Sequence, residues 1–141
     1  MASFTNMATL SYNGSQINSN VVTGELQDAL TITKTAVSGG YRPGDTVTYV
    51  VTLSNTGNTA LTGQEGAVIT DTFDPILNST GVTFNGTAWT SPEDYTYDAA
   101  TGAFATVAGK LTVPEAAFTQ NADGSWTVTP GQSVLTVTGT V

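Results

Sequence analysis

Apolar and polar residues alternate with a period of two along most of the chain, as they do in β-strands that bury one face. The alternation is cleanest from Thr46 to Asn55, where Val47, Tyr49, Val51 and Leu53 share one face. Shorter segments of the same kind follow, separated by Gly, Pro and Asn turn signals. The further predicted strands are 67–73, 82–84, 88–90, 95–97, 103–107, 110–113, 126–129 and 134–141, with a strand or one helical turn at 114–119. Many short strands with such turns predict an all-β chain folded as a β-sandwich.

A separate β-hairpin is predicted ahead of this sandwich. We assign residues 1–28 to the hairpin and its connector, and residues 29–141 to the sandwich. Asn13-Gly14 is a strong signal for a two-residue hairpin turn, with a return strand over 17–23 and a connector over 24–28. One face of the first strand is expected to carry Phe4, Asn6, Ala8, Leu10 and Tyr12.

A lysine interrupts an apolar face of the first sandwich strand. Leu30, Ile32, Lys34 and Ala36 lie at alternate positions, so they are expected to share one face. An unpaired buried ammonium group costs several kcal/mol or loses its proton, so Lys34 needs a partner. Asp71 falls on the apolar face of the strand predicted over 67–73 and is the expected partner.

Composition and charge exclude several classes of function. The chain has no His and no Cys, so it lacks the commonest general base, disulfides and thiolate metal sites. Its formal net charge is −8, which argues against binding to nucleic acid or to an anionic membrane surface. No apolar segment has transmembrane length, and we expect no membrane insertion, no cofactor and no enzymatic activity on a substrate. The first residues show no Sec signal, so we expect export by another route, prior removal of a signal, or release by lysis of the producing cell.

Three segments taken together resemble the DUF11 family, the immunoglobulin-like repeat domains of bacterial surface proteins. They are LTITKT at 30–35, PGDTVTYVVTLSNTGN at 43–58 and ITDTF at 69–73. The resemblance covers about residues 29–141 and is strongest through residue 73. It implies an immunoglobulin-like Greek-key β-sandwich.

The family's closing hairpin is found at the front of this chain instead of at its end. TNMATLSY at 5–12 and SNVVT at 19–23 resemble that hairpin, whereas the chain stops at LTVTGTV. A sandwich without its last strands has an open edge, and a lone hairpin is marginally stable in water. The two can meet within one chain, as a circular permutation, or between chains, by strand donation into a neighbour. The short connector favours donation, and we expect Phe4, Ala8, Leu10, Tyr12, Leu30 and Ile32 to form the interface of a head-to-tail homopolymer.

A covalent cross-link is a further hypothesis, supported by the occurrence of Lys–Asn isopeptide bonds in bacterial immunoglobulin-like surface domains. The reaction needs a neutral lysine amine, an asparagine carboxamide and a carboxylic acid that shuttles protons, all shielded from water. The hypothesis assigns Lys34 and Asn6 to the bond and Asp71 to the proton transfer. A buried Lys34–Asp71 ion pair and an exposed Lys34 are the alternatives.

We therefore expect a structural subunit of an extracellular filament on a bacterial cell or spore surface, joined by donation of the N-terminal hairpin. The alternative is a self-contained surface adhesin or carbohydrate-binding module. Its candidate sugar-stacking residues are Trp89, Tyr95, Tyr97 and Trp126.

Overall fold

The structure is a computed structural model that describes residues 2–26, 29–36 and 40–141. Residues 27 and 28 of the predicted connector and residue 39 of the predicted Gly39-Gly40 break lie outside the described residues. The first nine strands are β1 (Ala2–Asn6), β2 (Thr9–Tyr12), β3 (Ser15–Asn18), β4 (Val22–Leu26), β5 (Leu30–Ala36), β6 (Thr46–Asn55), β7 (Thr70–Thr72), β8 (Asn78–Phe84) and β9 (Thr87–Trp89). The remaining strands are β10 (Tyr95–Tyr97), β11 (Ala103–Thr106), β12 (Ala117–Gln120), β13 (Trp126–Thr129) and β14 (Gly131–Thr140), and a single 3-10 turn spans Gly63–Glu65.

The prediction of an all-β sandwich is confirmed. One sheet has the strand order β5-β6-β14-β8-β9 and the other has the order β10-β11-β7, with antiparallel pairing throughout. β12 and β13 form a separate two-stranded sheet. The buried core between the two main sheets includes Val51, Phe73, Leu77, Phe104, Leu135 and Val137.

The long strands β6 and β14 lie at the centre of the larger sheet, and the alternation of apolar residues along β6 matches the burial of its side chains. Val47, Val51 and Leu53 of β6 are buried, as predicted, and Tyr49 packs against the core. β14 pairs with β6 along its whole length and with β8 on its other side. The strand that ends the chain is therefore central in the sheet.

The Asn-Gly turns have the geometry expected of tight hairpins. Asn13 and Gly14 have φ values of 47° and 74°, and Asn85 and Gly86 have values of 49° and 79°. Positive φ at both central residues is the signature of a type I′ turn. The predicted hairpin turn at Asn13-Gly14 is confirmed.

Two predicted strands of the sandwich are shorter than expected or absent. The strand predicted over 67–73 is reduced to β7, and the segment 110–113 makes only one isolated bridge, between Leu61 and Val113. Leu111 and Val113 are nevertheless buried. The alternation therefore reported which side chains enter the core, whereas the backbone there bonds to the Leu61 loop and not to a strand.

Candidate functional site: an N-terminal arm and an open groove

The N-terminal arm, residues 2–26, consists of two hairpin ladders in series. β1 pairs with β4, and β2 pairs with β3 nearer the turn. The first strand was predicted to run unbroken through Ala8, but the ladder is interrupted where residues 7–8 face residues 19–21. The extra residue on the return side is a bulge, which offsets the two ladders by one residue. Ser19 N still donates to Ala8 O at 2.8 Å across this break.

The arm has one apolar face and one polar face. Residues opposite each other in an antiparallel ladder share a face, and the pairs Leu10–Ile17, Asn6–Val22 and Phe4–Gly24 share the apolar one. The pairs Thr5–Thr23, Thr9–Asn18 and Ser11–Gln16 share the other. The exposed fractions of the large apolar side chains are 50% for Phe4, 61% for Leu10, 53% for Tyr12, 51% for Ile17 and 60% for Val22.

Nothing described in the subunit covers this apolar face. Among residues 2–26, 29–36 and 40–141, no strand of the arm joins a sheet of the sandwich. A two-stranded hairpin alone in water is at best marginally stable. The arm therefore needs a surface to pack against.

The sandwich has an open side between β5 and β7, the edge strands of its two sheets. Every residue of β5 is exposed, although the strand is fully paired with β6 along its other edge. A groove with a volume of about 230 Å³ lies between β5 and the segment that leads into β7, and a second cavity of about 350 Å³ continues it beside Leu61. The apolar side chains that line the groove are Leu30, Ile32, Leu53, Leu61, Ala67, Val68, Leu111 and Val113.

The other side of the sandwich is closed by the chain itself. β9 and β10 are the outer strands there, and residues 90–94 cross directly from one sheet to the other. Trp89 packs on Phe84 with ring centroids 4.8 Å apart, and Thr90 N donates to Asp94 Oδ2 at 3.0 Å. The β5–β7 side is consequently the side that can accept added strands.

Lys34 and Asp71 span the open side at the far end of the groove from Leu30. Lys34 Nζ lies 2.5 Å from Asp71 Oδ2, and 4.6 Å and 4.9 Å from the ring centroids of Tyr49 and Phe73. The two side chains are 39% and 25% exposed. The ion pair with Asp71 is therefore present but partly exposed, and it lies above two aromatic rings that solvent reaches from the open side.

The other expected site residues divide between the arm and the groove. Asn6 lies on β1 opposite Val22, so the structure brings Lys34 and Asp71 together and leaves Asn6 on the arm. The expected interface residues Phe4, Ala8, Leu10 and Tyr12 are exposed on the arm. Leu30 and Ile32 are 44% and 56% exposed in the groove.

Sequence reasoning missed part of the far wall of the groove. Leu61 lines it from a loop that shows no alternation, and Val68 falls on the outward face of the strand predicted over 67–73; Ala67, by contrast, lies on the predicted inward face.

The aromatic residues considered for sugar binding mostly have structural roles. Tyr95 is buried, and the Tyr97 hydroxyl both accepts from Leu77 N and donates to Leu77 O, each at 2.8 Å. Trp126 is 60% exposed and lies with Phe118 and Val128 around a shallow cavity of about 600 Å³.

Several loop carboxylates are stabilised in their ionised form by hydrogen bonds. Donation from the Thr62 hydroxyl lowers the pKa of Glu65, and donation from the Ala100 backbone N–H lowers the pKa of Asp98. Backbone donation from Thr90, followed by the hydrogen bond from Lys110, lowers the pKa of Asp94. These acids stabilise the backbone of their own loops through these hydrogen bonds.

Comparisons of the chain with family models, with curated proteins and with solved structures find no match. Within the described ranges, the acidic side chains form no cluster of three or more that could hold a metal ion. The part of the chain that the structure describes has no helix with the length and apolar character needed to cross a bilayer.

Proposed function

We propose that this protein is a structural subunit of an extracellular filament, in which each subunit inserts its N-terminal arm into the groove of the next. The observation that carries the proposal is that one chain presents both an uncovered apolar hairpin and an open apolar groove beside the edge strand β5. Each feature is unfavourable in water, because the hairpin exposes an apolar face and the groove exposes apolar side chains beside an unpaired strand edge. Docking of the hairpin in the groove would cover both.

The energy available from docking is substantial. Complete burial of a large aliphatic or aromatic side chain is worth about 1.5–3 kcal/mol, so five half-exposed arm residues offer roughly 5 kcal/mol or more. Pairing of the arm with an edge strand adds backbone hydrogen bonds of about 1 kcal/mol each. These gains have to offset the entropy lost on association, and a stable junction results if most of the apolar face is covered.

The charge distribution also favours insertion of the arm into another copy. The chain has a formal net charge of −8, yet residues 2–24 contain no charged side chain. Copies of a strongly acidic protein repel one another. An uncharged arm can enter an apolar groove without adding to that repulsion and without burying an unpaired charge.

Insertion of the arm into a neighbour joins two different surfaces, so the contact is heterologous and propagates unless the assembly closes into a ring. Polymerisation into a filament is the natural outcome. The resemblance to immunoglobulin-like DUF11 domains supports a place on a bacterial cell or spore surface.

An isopeptide bond between Lys34 and Asn6 is the proposed lock of each junction. In this reaction Lys34 Nζ forms a bond to Cγ of a neighbour's Asn6, the Asn6 Cγ–Nδ2 bond breaks, and ammonia leaves. Asp71 is positioned to relay the protons, since its carboxylate already contacts the lysine amine. A docked arm would shield the pair from solvent, which is the environment that the reaction requires.

A surface adhesin or carbohydrate-binding module is the alternative function. The observation that favours it is the exposed patch of Phe118, Trp126 and Val128 beside Asn58. Aromatic rings at such positions can stack on sugars. This function needs neither the arm nor the open groove.

Deletion of residues 1–24 separates the two functions. Among the residues whose burial the structure describes, none of the buried core belongs to the arm, so the shortened protein is expected to fold with an unchanged melting temperature. It should form no filaments by negative-stain microscopy. Added in small amounts to the full-length protein, it should shorten filaments, because it accepts an arm but donates none.

Filaments that persist without residues 1–24 would contradict the proposal. Boiling assembled filaments in SDS tests the lock, because isopeptide-linked subunits should run as a ladder. Each bond should also lower the intact mass by one ammonia, and Lys34→Met should abolish both effects.

A further inference from the structure

The backbone hydrogen bonds at the groove decide how an arm can lie in it. Along a strand, successive residues direct their N–H and C=O groups to opposite sides. Ala29 O accepts from Thr56 N at 2.9 Å, on the β6 side. The alternate residues Leu30, Ile32 and Lys34 therefore direct their N–H and C=O groups to the open edge. The same three residues direct their side chains into the groove or to Asp71.

The distal hairpin of the arm, β2–β3, has the opposite arrangement. The type I′ turn joins Tyr12 to Ser15 by its own hydrogen bond, and Ser19 N donates to Ala8 O. Ala8, Leu10 and Tyr12 consequently direct their backbone groups into the hairpin. The free backbone groups of this hairpin belong to the residues of its polar face.

This difference excludes one direction of pairing along β5. In antiparallel pairs, opposed residues share a face and exchange hydrogen bonds with each other. If a strand of the arm docked antiparallel to β5, the free N–H and C=O groups of Ile32 would therefore pair with a residue of the arm's polar face. Because paired residues share a face, the polar side chains of the arm would then point into the groove. In parallel pairs, a residue bonds to the two neighbours of the residue opposite it. If a strand of the arm docks parallel to β5, the free backbone groups of β5 therefore bond to polar-face residues of the arm. The apolar residues between them then point into the groove.

The edge of β7 requires the other direction. Thr106 N donates to Ile69 O and Phe73 N donates to Gly102 O, both at 2.9 Å, so these core-facing residues are bonded on the β11 side. The outer edge of β7 belongs to Thr70 and Thr72, where Thr72 N donates to Asp71 Oδ1 at 2.8 Å. An antiparallel strand can pair there and still present its apolar face to the core.

A hairpin supplies both directions at once. Leu30 and Ile32 line the groove with Ala67 and Val68, and Lys34 meets Asp71 further along, so β5 and β7 run in the same direction across the groove. Of the two legs of any hairpin, one runs parallel to these strands and the other antiparallel. A hairpin lying along the groove can therefore place the parallel leg at β5 and the antiparallel leg on the β7 side.

The point at which the arm is attached to its own sandwich determines which of its two strands lies beside β5. The arm leaves its own sandwich next to Leu30, so in a head-to-tail filament its base meets the Ala36 end of the next subunit. Resting on the proposed filament, we propose that a neighbour's β3 lies parallel to β5 while its β2 lies on the β7 side. The Asn13-Gly14 turn then points toward the Leu30 end. An arm folded back on its own subunit, or exchanged reciprocally in a dimer, would place β2 against β5.

Cysteine pairs test this placement, since the chain has no native Cys. Leu10 and Ile17 lie directly opposite each other on the arm, so they differ only in leg. Ile17→Cys is combined in turn with Leu30→Cys, Ile32→Cys and Lys34→Cys, and Leu10→Cys is combined with the same three. The Leu10 series is the matched control, because its leg lies about 5 Å further from β5.

The filaments are assembled, oxidised and run on SDS gels with and without reductant. We expect a ladder from at least one Ile17 combination that collapses on reduction, which distinguishes it from an isopeptide ladder. The Leu10 series should give none, since a disulfide needs Cα atoms within about 7 Å. A reducible ladder from the Leu10 series, or filaments without a ladder in either series, would overturn the placement but not the filament. If the unsubstituted protein forms no filaments, the proposed function itself fails.

Discussion

Leu10→Ala is the substitution that most clearly separates the role of the arm in assembly from the stability of the subunit. Leu10 lies on the apolar face of the arm and is 61% exposed. In the part of the chain that the structure describes, the buried core is formed by the sandwich and includes no residue of the arm. The substitution should therefore leave the melting temperature of the unassembled subunit unchanged and weaken only the junction between subunits.

The size of the effect follows from the exposure of the side chain. Complete burial of a leucine side chain is worth about 1.5–3 kcal/mol, so burying the exposed 61% of Leu10 contributes roughly 1–2 kcal/mol per junction. Each 1.4 kcal/mol is a factor of ten in an equilibrium constant, so the critical concentration for assembly should rise roughly five- to thirtyfold.

Sedimentation of filaments over a range of protein concentrations measures the critical concentration, and calorimetry of the dilute subunit measures its melting temperature. Val128→Ala is the matched control, because Val128 is also apolar and 43% exposed but lies on β13, away from the groove. The reasoning is refuted if Leu10→Ala assembles like the unsubstituted protein, or if both substitutions impair assembly equally.

Three further predictions concern the sandwich and the lock. Tyr97→Phe removes both hydrogen bonds to the Leu77 backbone and should cost about 1–3 kcal/mol in the free energy of unfolding by urea titration; an unchanged midpoint would contradict this. The hydrogen bond from the Ala100 N–H lowers the pKa of Asp98 in the folded protein. The ionised Asp98 therefore stabilises the fold above the pKa of about 3.9 that it has in the unfolded chain, and this stabilisation is lost as the pH falls through the lower pKa of the folded state. The melting temperature of Asp98→Asn should therefore lie below that of the unsubstituted protein at pH 7, and the gap should close below about pH 4. Asn6→Ala should abolish any SDS-resistant ladder while non-covalent filaments persist, so a ladder that survives would assign the bond to another amide.

Much of the sandwich could be predicted because alternation and turn chemistry act locally. The bounds predicted for β6, β10 and β13 match the structure, and Asn13-Gly14 forms the predicted turn. The prediction for 110–113 was wrong as a strand, because side-chain alternation reports burial and not the hydrogen-bond partner of the backbone. Sheet order could not be read from the pattern either, since the partners of β14 are distant in sequence.

The candidate site was predictable as chemistry and only partly as geometry. A lysine among Leu30 and Ile32 pointed to a charged partner, and Lys34 does meet Asp71. The sequence could not decide between a buried and an exposed lysine, because the exposure of Lys34 depends on what remains uncovered at the open side. Part of the far wall of the groove was missed because Leu61 reaches it from a loop without alternation, and because Val68 falls on the outward face of the strand predicted over 67–73.

A cryo-EM map of the assembled protein tests the central claim most directly. The account predicts two additional strands between β5 and β7 of each subunit, traceable to residues 2–26 of a neighbouring copy. The strand beside β5 should run parallel to it. A groove filled by the subunit's own arm, or subunits joined with their grooves empty, would contradict the account.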